Sequence, residues 1–161
     1  MELEKALEEL NGLGVEYELQ RHPAVYTIKE IDDLGGFEGT HIIKNLFICD
    51  DKGRESFLVL SCGHKRTDLK ELADKLNVKK LRFGSENRLN EQLGLLKGAV
   101  SPLGIINDKA HAVTLVIDRE LSTYEKLGVH PNDNTATVIM SYDSLMKILE
   151  HYGNPIIFLE V

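Results

Sequence analysis

The sequence predicts an α+β fold, a mixed α/β arrangement in which a mixed, mostly antiparallel sheet carries flanking helices. Segments of helical and strand periodicity alternate along all 161 residues with no internal repeat and no low-complexity linker. Two pairs of β-rich runs are joined by connections so short that only antiparallel neighbours fit. His41 to Cys49 and Glu55 to Ser61 flank Asp50-Asp51-Lys52-Gly53, and Leu103 to Ile106 and Ala112 to Ile117 flank Asn107-Asp108. These joins exclude a purely parallel, doubly wound sheet. At 42% hydrophobic and 28% charged residues the chain has an ordinary globular composition. A domain of this length buries roughly 70% of its unfolded surface, so a single core needs neither disulfide nor structural metal.

Each element has a local reason. Leu3, Leu7 and Leu10 mark one face of an opening helix that Gly12 and Gly14 end, and Val15 to Gln20 reads as a strand. Thr27-Ile28-Lys29-Glu30 is a capping box, in which hydroxyl and carboxylate each satisfy an orphan backbone N–H; the short helix it opens stops at Gly35-Gly36. After the hairpin, Leu69, Leu72, Ala73 and Leu76 form a helical stripe opened by Thr67 or Asp68. Ser85 caps a further helix that ends at Gly94. Thr137 to Met140 reads as a strand, Tyr142 to Glu150 as a helix and Ile156 to Leu159 as a closing strand.

The net charge of −7 disfavours a protein that neutralises a long run of nucleic-acid phosphates, but it leaves room for contact with one RNA end. From His64 to Arg82 seven Lys or Arg stand against three acids, a local balance of +4 that leaves −11 for the rest of the chain. Such a run is most often a solvated helix face and is also a candidate polyanion contact. No stretch approaches the roughly 20 apolar residues of a membrane span, and the N-terminus lacks a signal-peptide pattern, so a cytoplasmic protein with two reduced cysteines, Cys49 and Cys62, is expected.

General motifs offer little chemistry. Phosphate-binding glycine loops, His-Glu-x-x-His and Cys-x-x-Cys are all missing. Cys62-Gly63-His64 supplies two soft ligands where zinc needs three or four, so a buried strand cysteine beside a surface histidine is expected, with no metal and no cofactor. Ser101 with His130 and Asp108 or Asp118 has the composition of a hydrolase triad, yet Ser101 precedes Pro102 and lies on no nucleophile elbow. His22 and His130 each precede a proline, which favours extended backbone at a loop or strand end.

Taken together, the loops resemble the YbaK/prolyl-tRNA synthetase-associated domain family, in particular its freestanding alanyl-tRNA(Pro) deacylases. The resemblance spans nearly the whole chain. It is carried by His22-Pro23-Ala24-Val25-Tyr26-Thr27 with Glu30, Lys44-Asn45-Leu46-Phe47-Ile48, Asp68-Leu69-Lys70, Arg82-Phe83-Gly84, Gly98-Ala99-Val100-Ser101-Pro102-Leu103-Gly104, Asn107-Asp108, and His130-Pro131 followed by Asn134-Thr135. Two departures stand out: Ile42-Ile43 replaces a small polar pair before the lysine, and Asn132 stands where leucine commonly follows His-Pro.

The resemblance implies one editing domain over residues 1–161 and hydrolysis of the ester that joins a wrong, small amino acid to the 3′ end of proline tRNA. The partners it implies are the tRNA(Pro) acceptor end and prolyl-tRNA synthetase, with no membrane and no DNA. Editing has a physical motive, since a pocket for proline rejects a smaller apolar side chain by only about 1–3 kcal/mol per missing methylene. In this reading Gly98, Ala99, Val100, Ser101 and Pro102 form an oxyanion loop whose backbone N–H groups face the ester carbonyl. Lys44, at the cleft end of the first hairpin strand, holds a phosphate or carbonyl oxygen, and Asn45 orients it or the substrate. His130 binds a ribose hydroxyl or positions water, with an ordinary pKa near 6.5 suited to proton transfer. His22, Tyr26, Thr27, Asn134 and Thr135 frame the cleft. Ile43, Leu46, Val100 and Ile117 are the candidate wall that selects by size, while Ile28 and Leu46 are also read as core. Water is the nucleophile, with no acyl-enzyme. The alternatives are a deacylase for cysteinyl-tRNA(Pro) or another aminoacyl-tRNA, a non-catalytic module that binds the tRNA end or the synthetase, and a Cys62-dependent hydrolase.

Overall fold

The computed structural model describes residues 2–161. Among them the chain forms α1 (Glu2–Leu13), β1 (Glu18–Arg21), α2 (Ile28–Leu34), β2 (Thr40–Asp50), β3 (Ser56–Cys62), α3 (Leu69–Leu76), β4 (Leu81–Phe83), α4 (Glu86–Leu93), β5 (Val113–Asp118), β6 (Lys126–Val129), β7 (Ala136–Met140), α5 (Tyr142–Tyr152) and β8 (Ile156–Leu159). The strands make one mixed sheet in the order β1-β7-β6-β2-β3-β5-β8, with β4 also paired to β2. β1–β7, β7–β6, β2–β3 and β2–β4 are antiparallel; β2–β6, β3–β5 and β5–β8 are parallel.

Alternation along the central strands explains why the sheet is covered on both faces. On β3 and β5, Leu58, Leu60, Leu115 and Ile117 meet Ala6 and Leu10 of α1 and Leu145, Ile148 and Leu149 of α5. The intervening Phe57, Val59 and Val116 meet Leu72 and Ala73 of α3. α2 closes a third cluster through Ile31, which packs with Val25, Phe37, Ile42 and Ile139. No helix among the described residues is long and apolar enough to cross a membrane.

The caps expected from sequence form as hydrogen bonds. Thr27 Oγ1 accepts from Glu30 N at 3.1 Å while Glu30 Oε2 accepts from Tyr26 N at 3.0 Å. Asp68, not Thr67, opens α3, and Ser85 opens α4. One expectation fails. Leu103 to Ile106 is no strand, because Pro102–Asn107 winds as a 3₁₀ turn with all of residues 102–106 buried instead of every second one. Proline at its first position, the Ser101 hydroxyl accepting from Leu103 N at 3.1 Å, and Gly104 N bonding Ser101 O at 3.1 Å together favour the turn. β4 and β6, each three or four residues long, are strands the sequence reading did not include.

Candidate active site

A gap along one edge of β2 creates the site. On the side away from β3, β2 pairs with β6 only through residues 40–42 and with β4 only through residues 48–50. Between those contacts the edge is unpaired, and a cavity of about 370 Å³ opens there. Phe47 O accepts from Gly84 N at 2.9 Å at the β4 end of this edge. Main-chain groups of alternate residues point to the same edge of a strand, so the N–H and C=O of Ile43 and Asn45 face the gap. Lys44 and Asn45, from opposite faces of the strand, both line the cavity.

Lys44 sits in the interior of β2, not at its end as the sequence suggested. Its ammonium donates to the main-chain carbonyl of Lys65 at 3.1 Å. That carbonyl is well anchored: Lys65 N bonds Cys62 O at 3.0 Å, and Lys65 Nζ donates to the fully buried Asp118 at 2.8 Å and reaches Glu120 at 3.4 Å. Hydrogen bonding to Asp118 raises the Lys65 pKa. Hydrogen bonds from Tyr124, then from Cys62 and Lys65, hold the Glu120 carboxyl at about 2. The His41 ring stacks on Tyr124 with centroids 3.9 Å apart, and its Nε2 accepts from Gly63 N at 3.1 Å. A charged, hydrogen-bonded cluster thus backs the turn that holds Lys44.

The opposite wall is the loop at residues 98–102 together with His130. Gly98 and Val100 line the cavity, whereas Ala99, Ser101 and Pro102 are buried behind it. Gly98 has φ +90, and a Cβ there would stand 2.6 Å from the Tyr26 ring, so this position admits only glycine. The Ala99 amide is spent on Leu96 O at 3.0 Å, and Pro102 has none, which leaves Gly98, Val100 and Ser101 N–H without a protein acceptor among the described residues. Ser101 Oγ donates to the main-chain carbonyl of His130, and Asn132 Nδ2 donates to Leu103 O at 3.1 Å, so the two loops are hydrogen-bonded to each other. Asn132, the residue that departs from the family pattern, has φ +62, a left-handed conformation asparagine tolerates well.

His130 Nδ1 lies 3.1 Å from Ala136 O; a carbonyl only accepts, so Nδ1 carries the proton and Nε2 is left as an acceptor. Burial lowers the pKa of this histidine, which corrects the expectation of an ordinary value and keeps the ring neutral at pH 7. Asn45 donates through Nδ2 to Ile43 O at 3.3 Å, while its Oδ1 is shielded from solvent with no donor.

Lys44, Asn45, Tyr26, Thr27, Ile43, Leu46, Gly98, Val100 and His130 therefore converge on one cavity. His22, Asn134 and Thr135 do not line it. His22 Nε2 lies 2.9 Å from the Thr137 hydroxyl, Asn134 Nδ2 donates to Val25 O at 3.0 Å, and Thr135 O accepts from His22 N at 2.9 Å, so these three fasten the chain before α2 to the loop after His130. Ile117, offered as wall, lies in the core because alternation turns it toward α1 and α5; Ile28, read as core, lines the cavity. Gly63, Gly128, Ile31, Ile42, Val129 and Thr137 also line it and were missed, since the long-range β2–β6 pairing brings Gly128 and Val129 there and the packing of α2 brings Ile31.

The hydrolase alternatives fare differently. The triad does not assemble: the Ser101 hydroxyl is engaged by His130 main chain, Asp108 accepts from Ala112 N, Val113 N and Asn154, and Asp118 from Lys65. Cys62 is fully buried, and burial pushes its thiol up to about 12, which removes the thiolate a nucleophile needs. Among the described residues no cluster of three His, Cys, Asp or Glu is arranged for a metal ion.

Residues 22–148 match the model of the aminoacyl-tRNA editing domain. The prolyl-tRNA editing protein ProX of Acetoanaerobium sticklandii is 45% identical over 145 residues, 90% of this chain and 88% of that protein. The prolyl-tRNA synthetase associated domain-containing protein 1 of Danio rerio is 35% identical over 93% of this chain and 83% of its own length. A solved structure of a candidate trans-editing enzyme for prolyl-tRNA synthetase superposes with a TM-score of 0.75 at 20% identity, covering 99% of this chain and 97% of that one, a likeness of fold.

Proposed function

The chain belongs to the aminoacyl-tRNA editing domain family, and on that premise we propose that it is a deacylase that clears alanine from mischarged tRNA(Pro). The observation that carries the reading is the convergence of Lys44, the Gly98 and Val100 backbone and His130 on one cavity of about 370 Å³. A space of that size takes an aminoacylated ribose, and Ile43, Leu46 and Val100 are among the apolar residues that line it.

Water adds to the ester carbonyl, and the free amides of the 98–102 loop stabilise the oxyanion that forms. His130, neutral and with Nε2 open, accepts a hydrogen bond from the attacking water or a ribose hydroxyl. The C–O bond to the ribose 3′ oxygen breaks, that oxygen takes a proton, and alanine leaves as the free acid. Lys44, drawn toward Lys65 O, supplies positive charge for the terminal phosphate or the ester oxygen. The residues at 1–161 act as one editing unit in the cytoplasm, on the acceptor end of tRNA(Pro) and alongside prolyl-tRNA synthetase. The exposed basic residues Arg66, Lys70, Lys79, Lys80 and Arg82 suit acceptor-stem phosphates.

Incubation of purified protein with alanyl-, cysteinyl- and prolyl-tRNA(Pro) tests the proposal. Release of alanine well ahead of proline supports it; faster release of cysteine reassigns the substrate; no release from any ester leaves a binding module.

A further inference from the structure

We propose, taking the deacylase reading above as given, that Asn45 is the acceptor for the α-ammonium group of the aminoacyl ester, so that a free amine is as much a condition of hydrolysis as a small side chain. The Asn45 amide has only one sensible orientation. Ile43 O, 3.3 Å away, can only accept, so Nδ2 faces it and Oδ1 is turned the other way. That Oδ1 is shielded from water, has no donor and belongs to a residue of the cavity wall. A shielded acceptor left empty is costly, and a ligand that brings an N–H removes the cost.

The surroundings select the kind of donor. The unpaired edge of β2 adds the Asn45 carbonyl to Oδ1, with Ile43 O already taken by Asn45 Nδ2, so two open acceptors stand on this wall beside the edge N–H groups of Ile43 and Asn45. An ammonium group, with three donors and no acceptor, matches such a cluster better than a hydroxyl, which must also find a donor. Across the cavity stand Gly98 and Val100, whose amides have no protein acceptor among the described residues and are open to a carbonyl oxygen. An aminoacyl ester carries its ammonium on the atom next to its carbonyl, so one substrate orientation satisfies both walls. The Lys44 ammonium, which would repel a second cation, comes from the other face of β2 and is held by Lys65 O at 3.1 Å.

The test compares tRNA(Pro) carrying a 3′-alanyl ester with the same tRNA carrying a 3′-propionyl ester, in which hydrogen replaces the ammonium. Each rate is divided by the spontaneous hydrolysis of that ester, because the ammonium itself activates the carbonyl. The wild-type protein should accelerate the alanyl ester more than the propionyl ester by roughly tenfold or more, and Asn45→Ala should reduce that ratio to within about twofold. Asn45→Leu, of similar volume, serves if circular dichroism shows the alanine variant unfolded. A wild-type ratio near one overturns the proposal whatever the variants do, and so does a ratio that survives in a folded variant. If the wild type accelerates neither ester, the deacylase reading itself falls, a result distinct from equal acceleration of both.

Discussion

The Lys44 ammonium donates to the main-chain oxygen of Lys65, 3.1 Å away, so the charged end of this cavity-lining lysine is held by backbone rather than by a carboxylate. Among the described residues no carboxylate pairs with it, which leaves the ammonium available to an anionic or carbonyl group of a ligand. Lys44→Ala should lower kcat/KM for alanyl-tRNA(Pro) by roughly 10²- to 10³-fold, the loss typical of one electrostatic contact to the transition state. Its far-ultraviolet circular dichroism should match the wild type, because the side chain is only half-buried and the hairpin bonds belong to main chain. Wild-type turnover in this variant would remove Lys44 from the site.

Gly98→Ala should be inactive and less stable. Its φ of +90 penalises any residue with a Cβ by about 1–3 kcal/mol, and that Cβ would lie 2.6 Å from the Tyr26 ring. Adding Tyr26→Ala relieves the contact but not the backbone strain, so the double variant should recover only part of the lost melting temperature. Full recovery would mean that the steric clash alone fixes the glycine.

How far the sequence reveals this site depends on the distance over which each part is determined. The β2–β3 hairpin, the Thr27–Glu30 box and the caps at Asp68 and Ser85 are local, and periodicity and capping chemistry make them readable. β6 is not readable: Lys126-Leu127-Gly128-Val129 is short, contains glycine, and becomes a strand only by pairing with residues 40–42, far away in sequence. Without β6 the gap on β2 has no second side, so Gly128, Val129 and Thr137 could not be assigned to the cavity. Ile117 and Ile28 exchanged roles for a related reason, since a strand's period of two says that faces alternate but not which face the cavity takes. His22, Asn134 and Thr135 carry the family resemblance, yet their hydrogen bonds join two loops to each other.

The pH profile should report a histidine titrating below its ordinary range. Burial disfavours the imidazolium form of His130, and its folded pKa lies below that of the unfolded chain, so it is neutral at pH 7 and charges only on acidification. Rates normalised to spontaneous hydrolysis should be level from pH 7 upward and fall below about pH 6.5. Stability should follow the same sign, with the contribution of this neutral histidine intact above the unfolded pKa and lost as the pH drops beneath it. In His130→Asn the acidic limb should disappear; its persistence would assign the limb to another group.

Cys62→Ala should retain turnover to within about twofold while lowering the melting temperature. The thiol is fully buried and burial pushes it up to about 12, so it contributes packing but no thiolate at pH 7. Thiol-blocking reagents should likewise leave the native enzyme active. Loss of activity in a folded Cys62→Ala protein would revive the cysteine-hydrolase reading and remove water as the nucleophile.

Size selection should yield to mutation at the half-buried part of the wall. Leu46 and Val100 line the cavity and are only partly buried, whereas Ile43 is 3% exposed and packs into the main core. Truncating Ile43 would therefore confuse selectivity with the roughly 2–5 kcal/mol cost of a core cavity. Val100→Ala and Leu46→Ala instead enlarge the cavity at partly buried positions of its apolar lining, and each lost methylene's worth of exclusion is about 1–3 kcal/mol. Either variant should raise hydrolysis of prolyl-tRNA(Pro) relative to alanyl-tRNA(Pro) by roughly tenfold or more, with the alanyl rate itself little changed. An unaltered ratio in both variants would mean that the apolar wall does not discriminate, and that rejection of proline arises instead from its secondary amine at the β2 edge.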